Sequence, residues 1–165
     1  MKHTRSIFLI LLLFFSSCAE PKENIDDLKL EGLWSLQIME VRDSITNTWS
    51  EWRDGMQGFL LYDDKGNMAL HLTLKDYEKT DLSFPNFDDS ISIDALKHLT
   101  GSYAYFGKYE INDKKDYVQH SRISHSNPGE WNKIVKRYYS FNGDTLIISP
   151  MEKENASLRL KWTRY

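Results

Sequence analysis

Cysteine and basic residues are the two scarcities that constrain this chain most. Its 165 residues include one cysteine, at position 18, so no disulfide can form within the chain and the fold must be held by its core. Lysine and arginine number 21 against 24 acidic residues, a net charge of −3. Nucleic-acid binding is therefore not expected, because phosphates demand a basic surface. The length suits one domain and is too short for two typical ones.

A long hydrophobic run is also missing. The longest, residues 7–15, is too short to cross a bilayer, which takes about 20 apolar residues. Lys2 and Arg5 precede it, and Ser16 and Ser17 follow it. A basic start, a short apolar segment and small residues before a cleavage site predict a secretory signal peptide over residues 1–17.

The position of Cys18 directly after the two serines resembles the bacterial lipobox, in which the cysteine is acylated and becomes the new N-terminus. Phe15 departs from the leucine that this pattern prefers. The alternative is an ordinary signal peptide followed by an unmodified cysteine. Cleavage removes two basic residues and no acidic one, and no polybasic segment remains to hold the protein on anionic lipid. The acyl chains would then be its membrane anchor.

Residues 18–30 are polar and charged, and they are predicted to be the lipidated cysteine and a flexible tether. Ala19 follows the cysteine where an aspartate would favour retention at the inner membrane. The expected location is therefore the bacterial cell envelope, with the outer membrane favoured. Residues 31–165 are predicted to form the folded domain.

Short alternating runs separated by turn residues indicate an all-β domain. The pattern places Trp34, Leu36 and Ile38 on one face of the first strand, and about eight strands follow from residue 32 onward. Eight antiparallel strands close into a barrel that holds packed side chains or one small ligand. One short helix, capped by Ser92 and ended by Gly101, is predicted between the third and fourth strands. The predicted strands cover residues 34–38, 58–62, 68–75, 103–112, 116–124, 133–141, 145–149 and 157–165.

Six short patterns occur in the order found in the lipocalin-like domain of bacterial proteins, which this chain resembles from residue 32 to its end. They are the Gly-x-Trp opening at 32–34, the hairpin at 58–68, the aromatic stretch at 103–110, and segments 118–120, 137–146 and 160–164. The resemblance implies a lipocalin-like barrel. It also implies that Arg164 lies over the ring of Trp34 at the closed end, a contact of about 0.5–2 kcal/mol.

Two strands carry polar groups that alternation places together. Tyr103, Tyr105, Gly107 and Tyr109 share one face, which either enters a cavity, with Gly107 leaving space, or fills the core. His120 points inward with Arg122 if Val118 does; in the opposite register it is exposed. Both registers fit the sequence.

Arg137 shares its face with Val135, Tyr139 and Phe141, so a buried guanidinium must meet either a protein carboxylate or a ligand. Glu40, on the predicted face of Trp34, is the expected internal partner, and internal pairing is slightly favoured over ligand contact. The predicted ligand-binding residues are Tyr62, Tyr103, Tyr105, Tyr109, His120, Arg137 and Tyr139.

The remaining chemistry is sparse. The histidines lack metal-ligand spacing, no serine lies in a nucleophile-elbow pattern, and no glycine-rich phosphate loop is present, so neither a metal nor a cofactor is expected. The favoured function is binding of a small, partly apolar molecule. One alternative is an isomerase or cyclase whose tyrosine, histidine and arginine polarise a carbonyl. Another is a structural envelope lipoprotein with a filled barrel.

Overall fold

The computed structural model describes residues 30–82, 90–112, 114 and 116–165, within which nine strands and one α-helix form. The predicted signal peptide, Cys18 and nearly all of the tether lie outside the described residues, as do residues 83–89 of the loop before the helix. The strands are β1 (Gly32–Arg42), β2 (Trp49–Glu51), β3 (Met56–Tyr62), β4 (Asn67–Leu74), β5 (Tyr103–Ile111), β6 (Tyr117–His125), β7 (Ile134–Asn142), β8 (Thr145–Pro150) and β9 (Leu158–Arg164), and the helix is α1 (Ile93–Gly101).

Every strand pairs antiparallel with its neighbours, and β9 pairs with β1 to close the sheet. Eight strands form the barrel, and β2 is an additional short strand on the end of β1, at Glu40–Arg42. The predicted all-β antiparallel barrel is therefore confirmed at this level. The predicted turns are present as well: β3 and β4 join through Gly66, and β7 and β8 through Gly143, both with positive φ.

The helix lies between β4 and β5 and not, as predicted, between the third and fourth strands. The strand count is off by one because the three-residue β2 is too short to show alternation and was missed in the sequence. Ser92 caps the helix by accepting a hydrogen bond from the backbone N–H of Ala95 at 3.1 Å. Gly101 is the last helical residue instead of the stop, and Ser102 follows as the C-cap.

A β-bulge in β1 changes which side chains enter the barrel. Leu36 pairs with Trp162 and Ile38 with Lys161, so the alternation shifts by one residue across Gln37. Trp34 and Leu36 face inward as predicted, but beyond the bulge Met39 faces inward instead of Ile38. Glu40 therefore lies on the outer face, and the prediction that it shares the face of Trp34 is wrong.

One end of the barrel, which we call the closed end, is filled by Trp34 and its neighbours. The guanidinium carbon of Arg164 lies 4.4 Å from the centre of the Trp34 ring, which confirms the predicted pair. The indole Nε1 of Trp34 donates to the carbonyl of Leu30 at 2.8 Å, and Phe141 packs beside the ring at 6.2 Å between centroids. Arg164 also donates to the carbonyl of Glu31, so β9 is hydrogen-bonded to the residue that precedes β1.

Candidate functional site

A cavity of about 300 Å³ occupies the barrel on the side away from the closed end. It reaches the barrel end where Trp52, Arg53 and the end of α1 at Thr100 and Gly101 lie, which we call the cavity end. Its volume is at the lower limit of typical small-molecule sites. Most of its wall is apolar, and the aliphatic side chains that line it include Met39, Met56, Leu60, Leu70, Leu72, Ile148, Leu158 and Leu160.

Four polar side chains face the cavity from three adjacent strands: Tyr103 and Tyr105 on β5, His120 on β6 and Arg137 on β7. Alternation along each strand turns them inward. Val118 is fully buried and His120 is 2% exposed, so the register with Val118 pointing inward is the one that forms. These four polar groups therefore lie together on one side of the barrel interior, and Arg53, Thr100 and Ser102 add polar groups at the cavity end.

His120 is held between two tyrosine hydroxyls. Its Nε2 lies 2.8 Å from the hydroxyl of Tyr62, and its Nδ1 lies 2.8 Å from that of Tyr105. Burial, with further contributions from the cationic Arg137 and Arg122, lowers the pKa of His120 to about 3. The imidazole is therefore neutral near pH 7.

Burial also raises the pKa of both tyrosines, to about 12 for Tyr105 and well above the ordinary value for Tyr62. Both hydroxyls therefore keep their protons. The three groups form a neutral hydrogen-bonded unit, which we call the triad (Tyr62, His120 and Tyr105). Such a unit can orient and polarise a bound oxygen, and its imidazole does not accept a proton near neutral pH.

Arg137 pairs with Glu152, a residue of the loop after β8. The Nη1 of Arg137 lies 2.7 Å from both carboxylate oxygens of Glu152, and it also donates to the carbonyl of Lys136 at 2.8 Å. The prediction that Arg137 pairs with a protein carboxylate is confirmed, but the prediction that this carboxylate is Glu40 is wrong. Glu40, displaced outward by the bulge, instead binds Arg159 at 2.6 Å and Lys161 at 3.0 Å.

A second buried arginine, Arg122, contacts two tyrosines of the cavity wall and does not itself line the cavity. The side chain of Arg122 is 2% exposed; it pairs with Glu130 and donates from Nη2 to the hydroxyl of Tyr103 at 2.8 Å. Its guanidinium carbon lies 4.8 Å from the ring centre of Tyr105, and the ring of His125 stacks on Tyr105 with 5.6 Å between centroids. Arg122 and His125 therefore hold the rings of Tyr103 and Tyr105 in place.

Three of the seven predicted ligand-binding residues are not in the cavity lining. Tyr62 and Tyr109 are buried towards the closed end, where their rings pack 4.7 Å apart, and the hydroxyl of Tyr109 donates to the carbonyl of Asp63 at 2.9 Å. Tyr139 packs against Phe141, 6.3 Å between centroids. The other four, Tyr103, Tyr105, His120 and Arg137, do line the cavity, and their contact with a ligand stays a prediction.

Gly107 does not leave the space between tyrosines that its position in the sequence indicates. A Cβ built on it would lie 2.3 Å from the carbonyl oxygen of Ser121, so the glycine instead allows β5 and β6 to approach closely. The pairing of the two strands also shifts here, between Phe106 and Gly107. The shift turns both Arg122 and His125 inward, a consequence that strict alternation does not give.

The described part of the chain holds neither a cluster of metal-ligating side chains nor a membrane-spanning helix. No group of three or more histidine, cysteine, aspartate or glutamate side chains there is placed to hold a metal ion. No helix among the same residues is long and apolar enough to cross a membrane.

Comparison with protein families agrees with this architecture. A family model described as a lipocalin-like domain matches residues 31–165. Among solved structures, a lipocalin-like protein from Bacteroides uniformis is similar at 11% identity and a TM-score of 0.44, covering 83% of this chain and 99% of that one. A redesigned beta barrel is similar at 12% identity and a TM-score of 0.41, covering 84% and 94%. No curated protein matches this chain. Because the family model covers the whole barrel, the chain belongs to the lipocalin-like domain family.

Proposed function

We propose that the barrel binds one small, partly apolar molecule in its cavity. The observation that carries this proposal is the cavity of about 300 Å³, with aliphatic walls and four polar side chains gathered on one side. Ligand sites typically combine such a wall with a few polar groups that fix orientation. Membership in the family alone would not support the proposal, because a fold does not determine a function. A filled structural barrel would have no such space.

The first test is whether the protein carries a molecule when it leaves its own host. Native mass spectrometry of full-length protein, purified from host membranes and transferred from detergent into an amphipathic polymer, should show a species heavier than the bare chain. The second test uses decanoate as a defined probe in isothermal titration calorimetry. An empty barrel from the host and no measurable binding of decanoate would together reject the proposal.

Two adjacent leucines of β3 offer a matched control for the cavity. Leu60 lines it, whereas Leu61 points outward and is 40% exposed. Leu60→Phe should fill part of the space and weaken decanoate binding at least about tenfold, while Leu61→Phe should leave it unchanged. If Leu60→Phe fails to fold because of overpacking, Leu70→Phe changes the same wall from β4. Equal binding by both variants would place the probe outside the cavity.

We further propose that this barrel is held in the bacterial envelope, at the outer membrane, by acylation of Cys18. The support is the sequence: a basic start, a short apolar run and the cysteine after two small residues. Replacing Cys18 with serine should abolish labelling by a radioactive fatty acid and release the domain into the soluble fraction. A Cys18→Ser chain that stays with the membranes would show that something other than acylation holds it.

A further inference from the structure

We infer that Tyr105 turns its hydroxyl proton into the cavity and donates it to a carbonyl or carboxylate oxygen of the bound molecule. The inference rests on the proposed function, and it names the end of the ligand that the protein recognises. It follows from how the protons of the triad can be distributed. Each of the three groups is buried, and each must satisfy its donors and acceptors from what lies nearby.

The proton count leaves one hydroxyl proton without a place inside the triad. A neutral imidazole has one N–H donor and one bare nitrogen acceptor. Both ring nitrogens of His120 lie 2.8 Å from a tyrosine hydroxyl. One tyrosine therefore donates to the bare nitrogen, and the other accepts from the N–H. The tyrosine that accepts keeps its own proton, which must find an acceptor outside the triad.

Tyr62 is the tyrosine that donates. It is 1% exposed, it does not line the cavity, and among the described residues its hydroxyl has no hydrogen-bond partner other than Nε2 of His120. If Tyr62 were the accepting tyrosine, its proton would be buried with no acceptor, which is costly. Nε2 is therefore the bare nitrogen, and the imidazole proton is on Nδ1, pointing at Tyr105.

The proton of Tyr105 is then the one that needs an acceptor. Among the described residues, its hydroxyl has no hydrogen-bond partner other than Nδ1 of His120. The guanidinium of Arg122, 4.8 Å from the ring centre, offers donors only, because it has no lone pair to give. Nδ1–H of His120 is likewise a donor towards this hydroxyl. Tyr105 lines the cavity, so its proton can be satisfied there, by a ligand oxygen.

Arg137 adds to the same donor character. Within the described residues, the hydrogen bonds of its guanidinium to Glu152 and Lys136 all run through Nη1, which leaves Nε and Nη2 without one. Arg137 lines the cavity together with Tyr105. The polar side of the cavity therefore offers hydrogen-bond donors to a ligand with an apolar body and an oxygen acceptor. A ligand with an amine head group would bind poorly, because its N–H donors would face the hydrogen-bond donors of the cavity.

The tautomer can be read in the empty protein, independently of any ligand. In full-length protein with ¹⁵N-labelled histidine, stripped of ligand, the nitrogen shifts of His120 should show a protonated Nδ1 and a bare Nε2. A protonated Nε2 would overturn the inference, because Tyr105 would then donate to His120 and have no proton for the cavity. This outcome would leave the proposed function standing.

The recognition step is tested by removing the hydroxyl. Tyr105→Phe should weaken decanoate binding about tenfold, the loss expected for one hydrogen bond to a charged acceptor. The matched control is Tyr138→Phe, on the outer face of β7 and 50% exposed, which should bind as wild type. Comparison with 2-decanone distinguishes a carbonyl from a carboxylate as the preferred acceptor.

Selectivity separates recognition from a merely structural effect. Wild type should prefer decanoate or 2-decanone over decylamine, and Tyr105→Phe should reduce that preference. A variant with unchanged preference, or with wild-type affinity for both oxygen-bearing probes, would overturn the inference while the cavity still binds. If wild type binds none of the probes and the barrel purified from its host is also empty, the proposed function fails, and the histidine spectrum still decides the proton assignment on its own.

Discussion

Arg137 and Arg122 are buried cations whose carboxylate partners are both partly hydrated. The side chains of Arg137 and Arg122 are 13% and 2% exposed, whereas those of Glu152 and Glu130 are 28% and 29% exposed. Burial acts to raise the pKa of Glu152, but the hydrogen bond and charge of Arg137, with smaller contributions from a backbone hydrogen bond and from Arg122, together outweigh it and lower this pKa overall. Water thus reaches the acid of each pair more easily than the base, so losing the base and losing the acid should not have equal costs.

We expect Arg137→Leu to lower the free energy of unfolding by about 1–2 kcal/mol, because Glu152 stays hydrated after its partner is removed. That is less than the 3–5 kcal/mol typical of breaking a fully buried pair. Glu152→Gln should cost more, since it leaves the more deeply buried guanidinium without a counter-charge. Thermal melts of both variants and wild type, all stripped of ligand, provide the measurement. A larger loss for Arg137→Leu than for Glu152→Gln would contradict this account.

Truncation at the closed end should be more damaging. Trp34→Ala removes a ring that is 1% exposed, the hydrogen bond to Leu30 and the surface on which Arg164 stacks. The expected loss is about 3–5 kcal/mol. Arg164→Lys should lose less than Trp34→Ala. Its loss should still be measurable, because an ammonium cannot stack as a planar group does. Urea unfolding measures both.

Ligand affinity provides the control for the Trp34 and Arg164 variants. Neither residue lines the cavity, so decanoate should bind the folded fraction of each variant as it binds wild type. Weakened binding by stably folded Trp34→Ala would connect the closed end to the site.

The inward-facing residues of the candidate site were largely accessible to sequence reasoning, because they lie on regular strands. Alternation on β5 and β7 placed Tyr105 and Arg137 on inward faces, and only the register of β6 had to be decided by the structure. Glu152 was not accessible in this way. It lies in a loop, where no periodicity indicates which way a side chain points.

At the scale of elements, a single residue in β1 decides on which side of the wall a carboxylate lies. Without the bulge at Gln37, alternation from Trp34 would bring Glu40 inside an apolar barrel. With the bulge, Glu40 meets Arg159 and Lys161 outside. Bulges of this kind leave no mark in the order of polar and apolar residues when both neighbours, here Leu36 and Ile38, are aliphatic.

Deleting Gln37 should therefore be tolerated. The shortened strand would alternate without interruption and keep Trp34, Leu36 and Met39 inward, so we expect a loss of about 1–2 kcal/mol, within the range of ordinary point mutations. Deleting Phe59 from the regular strand β3 is the matched control. It turns half of that strand to the wrong face and should prevent folding. Circular dichroism melts compare the two. Equal damage would mean that the bulge supplies curvature the barrel requires.

The element count shows the same limit of sequence reasoning. The antiparallel order of the eight barrel strands and the Ser92-capped helix could be predicted from runs of suitable length with recognisable turns. The strand Trp49–Glu51 could not, because three residues are too few for a period to be visible. This strand is stabilised by pairing with Glu40–Arg42, a tertiary contact that cannot be predicted from the local sequence.

For the molecule as a whole, buried neutral histidines should make the protein sensitive to mild acid. The pKa of His120 falls to about 3 in the folded state, and burial and Arg122 also lower that of His125. The unfolded state binds these protons near pH 6.5, so the stability that the neutral forms contribute is present above that pH and is lost as the pH falls. Each histidine contributes a slope of up to about 1.4 kcal/mol per pH unit.

Urea unfolding between about pH 6 and about pH 5, above the range where carboxylates titrate, tests this expectation. His120→Gln, which keeps a donor and an acceptor but cannot titrate, should remove the His120 contribution and flatten the slope. An exposed substitution on the outer face of β4, His71→Gln, is the matched control. A slope identical in wild type and His120→Gln would mean that His120 is not held neutral.

The seam between β1 and β9 also determines the order in which the barrel can be completed. The first strand begins at Gly32 and must wait for Leu158–Arg164, the last strand of the chain, before its second edge is paired. Until β9 is in place, the incomplete sheet therefore exposes one unpaired strand edge at each end. Contacts this distant in sequence slow folding, because the loop-closure entropy is lost before the contacts form. The barrel therefore cannot close until β9 is available to pair with β1.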